Sequence, residues 1–231
     1  DAGIHLRTHG TGDATAVNDA GFGFGVGGST VGGNLIATAT TGNMWDYGSL
    51  TVGRTTTLTT SANNATITLN NTNAFAGAVT ITTNDDSGTD ADVILDNGTT
   101  ALILAASTID GDLTLTSGHA SGITDSGTVT VGGNLVATTN DNSGVINLRT
   151  LAVDGTVALT TNGSGNATVV NDAGLNLAAS TVRGNLAATA TTGNITDSGN
   201  LAVTGTSSLT TSANNATITL NNTNAFAGAV T

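Results

Sequence analysis

Residues 181–205 read TVRGNLAATATTGNITDSGNLAVTG, three short runs of alternating apolar and small polar residues parted by turns at Gly193-Asn194 and Asp197-Ser198-Gly199. Nearly the same text stands at residues 30–53, TVGGNLIATATTGNMWDYGSLTVG, and a looser copy at residues 129–155, VTVGGNLVATTNDNSGVINLRTLAVDG. A strand-turn-strand unit of this size cannot bury its apolar face alone, but stacked on its neighbours it can. The pattern predicts an all-β solenoid, a parallel β-helix with three short strands per coil. Glycines that close a strand, from Gly33 and Gly53 to Gly205 and Gly228, recur at an interval that gives coils of roughly 20–24 residues.

Composition agrees with this reading. The chain has 231 residues, no cysteine, no proline and a formal net charge of −12. All 16 acidic residues are Asp and all 4 basic ones are Arg, with no Glu, Lys or Gln. The missing types are strong helix formers, whereas Thr, Val, Ile, Asn, Asp and Gly make strands and turns. Aromatics are only 3%, so a core must be thin and aliphatic, as a solenoid core is. The acidity disfavours nucleic-acid phosphate and anionic membrane surfaces as partners. Membrane insertion is not expected either, because no apolar run approaches a membrane span. The absence of cysteine does not distinguish an exported chain from a cytosolic one.

Taken in order, residues 1–21 align with 154–174, and residues 58–80 are identical to 209–231. The chain therefore reads as one β-helical segment, 1–231, holding about one and a half copies of a super-repeat of about 151 residues. That is the expected look of a piece of a longer array. Two intervals between marker glycines, Gly77 to Gly111 and Gly155 to Gly184, are long, which suggests extended turns or a lost marker. At Asp197-Ser198-Gly199 the expectation is a tight turn, with Gly at positive φ and Asp capping local donors. Arg149 stands where that pattern wants Gly, so a turn of another type is expected there. The Asn of Gly-Asn-Leu, at Asn34, Asn134 and Asn185, with Asp112 in a fourth copy, is expected to form a ladder along the axis. Ten or eleven coils would make a rod on the order of 50 Å long.

The text GNLAATATTGNITDSGNLAVTG at residues 184–205, with AASTV before it and TITLNN after the next coil, resembles the repeat regions of filamentous-haemagglutinin-like adhesins. The likeness extends over nearly the whole chain, though its motif is degenerate. It implies a right-handed parallel β-helix, export by a two-partner route, and a place on the surface of a Gram-negative bacterium. In such proteins the repeats hold binding domains away from the cell or build extracellular fibres. The amino-terminal secretion domain of that family does not stand in these residues.

Few residues break the repeat. Met44-Trp45-Asp46-Tyr47 replaces Ile195-Thr196-Asp197-Ser198 of the later copy. With Met44 inward, alternation turns Trp45 outward, and Trp45 and Tyr47 become the candidate contact for a glycan or a neighbouring fibre. The favoured reading is the plainer one, an aromatic pair that covers a coil edge. Residues 85–92, DDSGTDAD, form the one dense acidic run, and Asp85, Asp86, Asp90 and Asp92 are the candidate calcium ligands. Their spacing matches neither the EF-hand loop nor the glycine-rich calcium repeat, so a solvated turn with no cofactor is the favoured reading.

A polysaccharide-cleaving β-helix would need carboxylates gathered with Arg on one face. Here Arg7, Arg54, Arg149 and Arg183 are scattered, and His5, His9 and His119 have no evident partners. The chain is therefore not expected to be an enzyme. Thr-x-Thr pairs such as Thr66-Ile67-Thr68 and Thr217-Ile218-Thr219 raise ice binding, but Thr is also a good outward strand residue. Asn-x-Thr or Asn-x-Ser sequons at Asn64, Asn70, Asn97, Asn162, Asn166, Asn194, Asn215 and Asn221 follow mostly from composition. The expected function is a structural extracellular repeat segment of an adhesin or surface fibre. A self-assembling filament subunit is the alternative, and the expected partners are adjoining repeats, other copies of the chain, and host or surface glycans.

Overall fold

The structure, a computed structural model, describes residues 3–84 and 90–231. It is built of 28 strands with no helix among the described residues. Pairing is parallel, and partners stand one coil apart, Leu35 opposite Thr56 and Thr56 opposite Val79. The chain is a parallel β-solenoid with three strands per coil, as its sequence predicts. One sheet passes through ten levels, which at ~4.8 Å per level separates the first from the last by about 43 Å.

Each coil has a straight side and a bent side. The straight side is one strand of about five residues, as in Leu35–Ala39, where Leu35, Ala37 and Ala39 are buried while Ile36 and Thr38 face outward. The bent side is a pair of three-residue strands meeting at a corner, as in Met44–Asp46 and Leu50–Val52. Successive side chains point to opposite faces of a strand, so alternation of this period fills the interior from both sides. The result is one narrow continuous core of Leu, Val, Ile and Ala, with Phe22, Phe24, Met44 and Phe75 as larger fillers.

The two sides exchange places twice along the rod. In a 12-stranded sheet the straight strands Ala14–Asn18, Leu35–Ala39, Thr56–Thr60 and Val79–Thr82 stack first. Bent levels follow: Leu102–Leu104 with Ser107–Ile109, Ile123–Asp125 with Val129–Val131, and Ile146–Val153. Straight strands then return at Ala167–Asn171, Leu186–Ala190 and Ser207–Thr211. A 13-stranded sheet does the reverse, with its straight strands Val93–Asp96, Leu113–Ser117, Leu135–Thr139 and Thr156–Thr160 in the middle. Exchange occurs where two straight strands follow each other in the chain, Val79–Thr82 then Val93–Asp96, and Thr156–Thr160 then Ala167–Asn171. A full block between exchanges is four straight strands and three bent pairs, which is seven half-coils. An odd number of half-coils places the next block the other way round, so the 151-residue super-repeat resolves into two such blocks.

Three expectations change accordingly. The long intervals Gly77 to Gly111 and Gly155 to Gly184 are not lost markers, for each holds an extra straight strand and spans one and a half coils. The first also carries a longer connection between its two straight strands. Gly127 and Gly199 do not adopt positive φ. They are glycines because the coil before lies too close: a Cβ on Gly127 would stand 2.7 Å from the Ala106 nitrogen, and one on Gly199 2.8 Å from the Ala179 Cα. Finally, Arg149 lies in no turn. Ile146–Val153 runs through the corner as one strand, and its pairing with Ala167–Asn171 slips between Leu148 and Leu151. That bulge fits a bent side to the straight strand stacked on it.

Candidate functional site

The outward aromatic pair forms as expected. Met44 is fully buried, Trp45 is half-buried on the outer face, and Tyr47 is 46% exposed. Their rings meet edge to face with centroids 6.1 Å apart. Trp45 stands in register between Gly23 of the preceding coil and Thr68 of the following one. Its indole occupies the space that a Cβ on Gly23 would need. In the later copy the same two positions are Asn176 and Thr196, again in register. Trp45 thus covers a gap left by glycine, and Tyr47 keeps the open face.

The acidic run is only partly described. Asp85 and Asp86 lie outside the described residues, and Asp90 is exposed. Asp92 is engaged elsewhere, because its carboxylate accepts the backbone N–H of Asp112 at 2.8 Å. Among the described residues no three His or Asp side chains gather in a metal-ligand set.

The Asn ladder exists, but as three ladders rather than one. Asp13 accepts the backbone N–H of Asn34 at 2.6 Å, and Asn34 in turn accepts the Thr55 hydroxyl at 2.7 Å. A second ladder runs from Asp92 to Asp112, then to Asn134 at 2.6 Å and Thr156 at 2.9 Å. The third runs from Asn166 to Asn185 at 2.7 Å and Thr206 at 2.8 Å. Each ladder sits just ahead of the straight strands of one block and none crosses an exchange, so Asn34 never stacks with Asn134. Thr ends all three, offering a hydroxyl donor to the last Asn.

Two polar devices escaped the sequence reading. At each exchange a buried Asn takes the place of a missing strand. Asn97 accepts the Phe75 N–H at 2.7 Å and donates to the Phe75 carbonyl at 3.2 Å, and Asn171 does the same for Val153 at 2.8 and 3.0 Å. The amide imitates a backbone bridge, which satisfies two buried groups that would otherwise be orphaned. The second device is a buried carboxylate in the corner, which bonds to the coil that follows rather than capping its own turn. Asp46 accepts from the Asn71 and Asn73 side chains at 2.9 and 2.8 Å, a coil further on, and Asp197 accepts from Asn224 at 2.7 Å and from the Asn221 N–H at 2.9 Å. Burial alone would raise the Asp197 pKa, but the bonds from the Asn224 side chain, the Asn221 backbone and Asn222 outweigh it and hold the carboxyl below its usual range. The signal was present as Asn70-Asn71-Thr72-Asn73 recurring at residues 221–224, each time with Asp one coil earlier.

The remaining candidates stay apart. All four Arg are exposed and lie at separate levels, and Arg149 bonds Asn147 at 2.7 Å. His119 accepts the Ser121 N–H at 3.0 Å, a local contact. Thr68 lies in register between Trp45 and Ile94, so the Thr-x-Thr pair at Thr66 does not continue into an array. Of the sequons, Asn97 is fully buried, whereas Asn64 and Asn215 are exposed in turns with φ of 61° and 63°.

A family model described as repeats of unknown function matches residues 11–82, 90–148 and 164–231. Each match starts just ahead of a block's first straight strand, Ala14–Asn18, Val93–Asp96 or Ala167–Asn171; the first ends with Val79–Thr82, and the second ends inside Ile146–Val153, short of Thr156–Thr160. The family repeat thus opens where a block opens. No curated protein and no solved structure gives a significant match to the chain.

Proposed function

The chain belongs to the family of repeats of unknown function (DUF5649), and we propose that it is a rod: a structural, extracellular repeat segment of an adhesin or surface fibre of a Gram-negative bacterium. One observation carries the rod, while the place on a cell surface rests on the resemblance of residues 184–205 to adhesin repeats. The recurring polar side chains that distinguish the repeats, in the ladders, the Asn97 and Asn171 joints and the Asp46 and Asp197 corners, hold one coil on the next. The four Arg stay apart and exposed, which supports a role without catalysis. Length and stiffness are what such an investment yields. Tyr47, backed by Trp45, is the proposed contact for a glycan or an adjoining fibre. Antibodies to the rod should label intact source cells, and external protease should remove the label. Labelling that appears only after lysis would overturn the surface assignment.

A filament subunit is the second reading: residues 58–80 and 209–231 are identical, and in the first copy Ile67 is fully buried under the coil that follows, so this text is of a kind that packs beneath a further coil. The mass of the native polypeptide distinguishes the readings: a long covalent array supports the rod segment, and a chain near 22.4 kDa found in filaments supports the subunit.

A further inference from the structure

Asp46 and Asp197 are 7% and 9% exposed, in line with the buried faces of Met44–Asp46 and Ile195–Asp197. The residues in register one coil earlier are Phe24 and Leu177, so each carboxylate interrupts an otherwise apolar column. The middle block repeats the arrangement less deeply, with Asp125 in register with Leu104 and bonded to the Thr150 N–H at 2.6 Å and hydroxyl at 2.9 Å. We propose that this carboxylate is a register pin, which fixes which coil stacks on which in a chain whose coils are otherwise close to interchangeable.

The coils offer one another nearly the same apolar pattern, and a strand whose pattern repeats can slip without exposing its core face. A one-level slip would therefore be tolerated by Leu, Val and Ile. Asp46 removes that tolerance because its donors come from one corner: the Asn70 and Asn71 N–H groups at 3.2 and 3.1 Å and the Asn71 and Asn73 amides. A slip that skips one coil would set Asp46 beside the residues after Val93–Asp96, where Asn97 brings the nearest amide, already held by the Thr100 and Ala101 carbonyls of its own turn at 3.2 and 2.9 Å. A slipped coil would leave the carboxylate buried without donors, a strongly penalised state. Asn73 reinforces the choice, since its Oδ1 accepts the Leu50 N–H at 2.7 Å while its amide holds Asp46. Fixing register is the best-attested use of a buried polar group.

The chain has no cysteine, so spin labels can be placed through Thr38→Cys and Thr210→Cys. Both sites face outward in the 12-stranded sheet, eight levels apart, or about 38 Å along the axis. Samples with and without Asp46→Leu and Asp197→Leu are unfolded in urea, refolded and measured by pulsed electron paramagnetic resonance. The unsubstituted rod should give one distance. The leucine pair should fold and add a second population shorter by one coil, about 5 Å. A single narrow distance in the leucine pair would overturn the proposal, whatever its melting temperature, and would leave the carboxylate an ordinary stabilising group. Should the leucine pair not refold, the isosteric Asp46→Asn and Asp197→Asn pair decides: a second population supports the pin, and a single distance overturns it.

Discussion

Individual amides and carboxylates do in this rod what a larger core does elsewhere. Phe75 is fully buried, and its backbone N–H and carbonyl are both met by the side chain of Asn97. Asn97→Ala would orphan both groups, each at about 1–3 kcal/mol, and Asn171→Ala would do the same to Val153. Urea unfolding should show both variants losing stability on that scale, whereas Asn162→Ala, at an exposed position outside the left-handed region, should lose far less. Asp197 makes a prediction in pH. Its folded-state pKa is depressed, so its contribution is present above the usual carboxylate range and is lost as pH falls through that range toward the folded value. Melting curves taken down to pH 2 should show the wild type losing more stability than Asp197→Asn below about pH 4. Equal losses would mean that the Asn221, Asn222 and Asn224 bonds do not hold the charge.

Strands are the scale at which the sequence speaks most clearly. Alternation in Ile67–Leu69 and Leu113–Ser117 identifies inward and outward positions because a half-buried strand has period two. Gly-Asn-Leu opens a straight strand at Leu35, Leu135 and Leu186 but a bent one at Leu201, so the motif alone does not tell the two sides apart. What alternation does not carry is the partner of each residue. Asp46 bonds Asn71 and Asn73, 25 and 27 residues away, and whether Asn34 and Asn134 share a ladder depends on which side their strands occupy. Two consecutive straight strands decide that side, and their only trace in the text is an interval one and a half coils long. The aromatic substitution was legible as a departure, but its counterpart Gly23 was not, since the pair meets only through stacking. The two sites should therefore be coupled. Gly23→Asn should destabilise the rod while Trp45 is present, and Trp45→Thr should relieve it by recreating the Asn176–Thr196 pair. A double-mutant cycle is expected to give a coupling of about 1 kcal/mol, and strict additivity would place the indole off Gly23.

For the whole molecule, the consequence of a seven-half-coil repeat is a rod whose successive repeats face opposite ways. Any feature borne once per repeat, such as the Thr38 position and its equivalents Thr116 and Thr189, is displayed on alternating sides, and every second repeat comes back into line. A surface array built this way would offer the same face in two opposed directions without twisting. The direct test uses three labelled pairs, taken in turn from Thr38→Cys, Thr116→Cys and Thr189→Cys. Thr38 and Thr189 lie in the same sheet seven levels apart, or about 34 Å, and Thr116 lies between them in the other sheet. The two shorter distances should together clearly exceed the longer one, because the middle label stands across the core. If instead they sum to it, the three labels lie along one face and the half-turn between repeats does not exist.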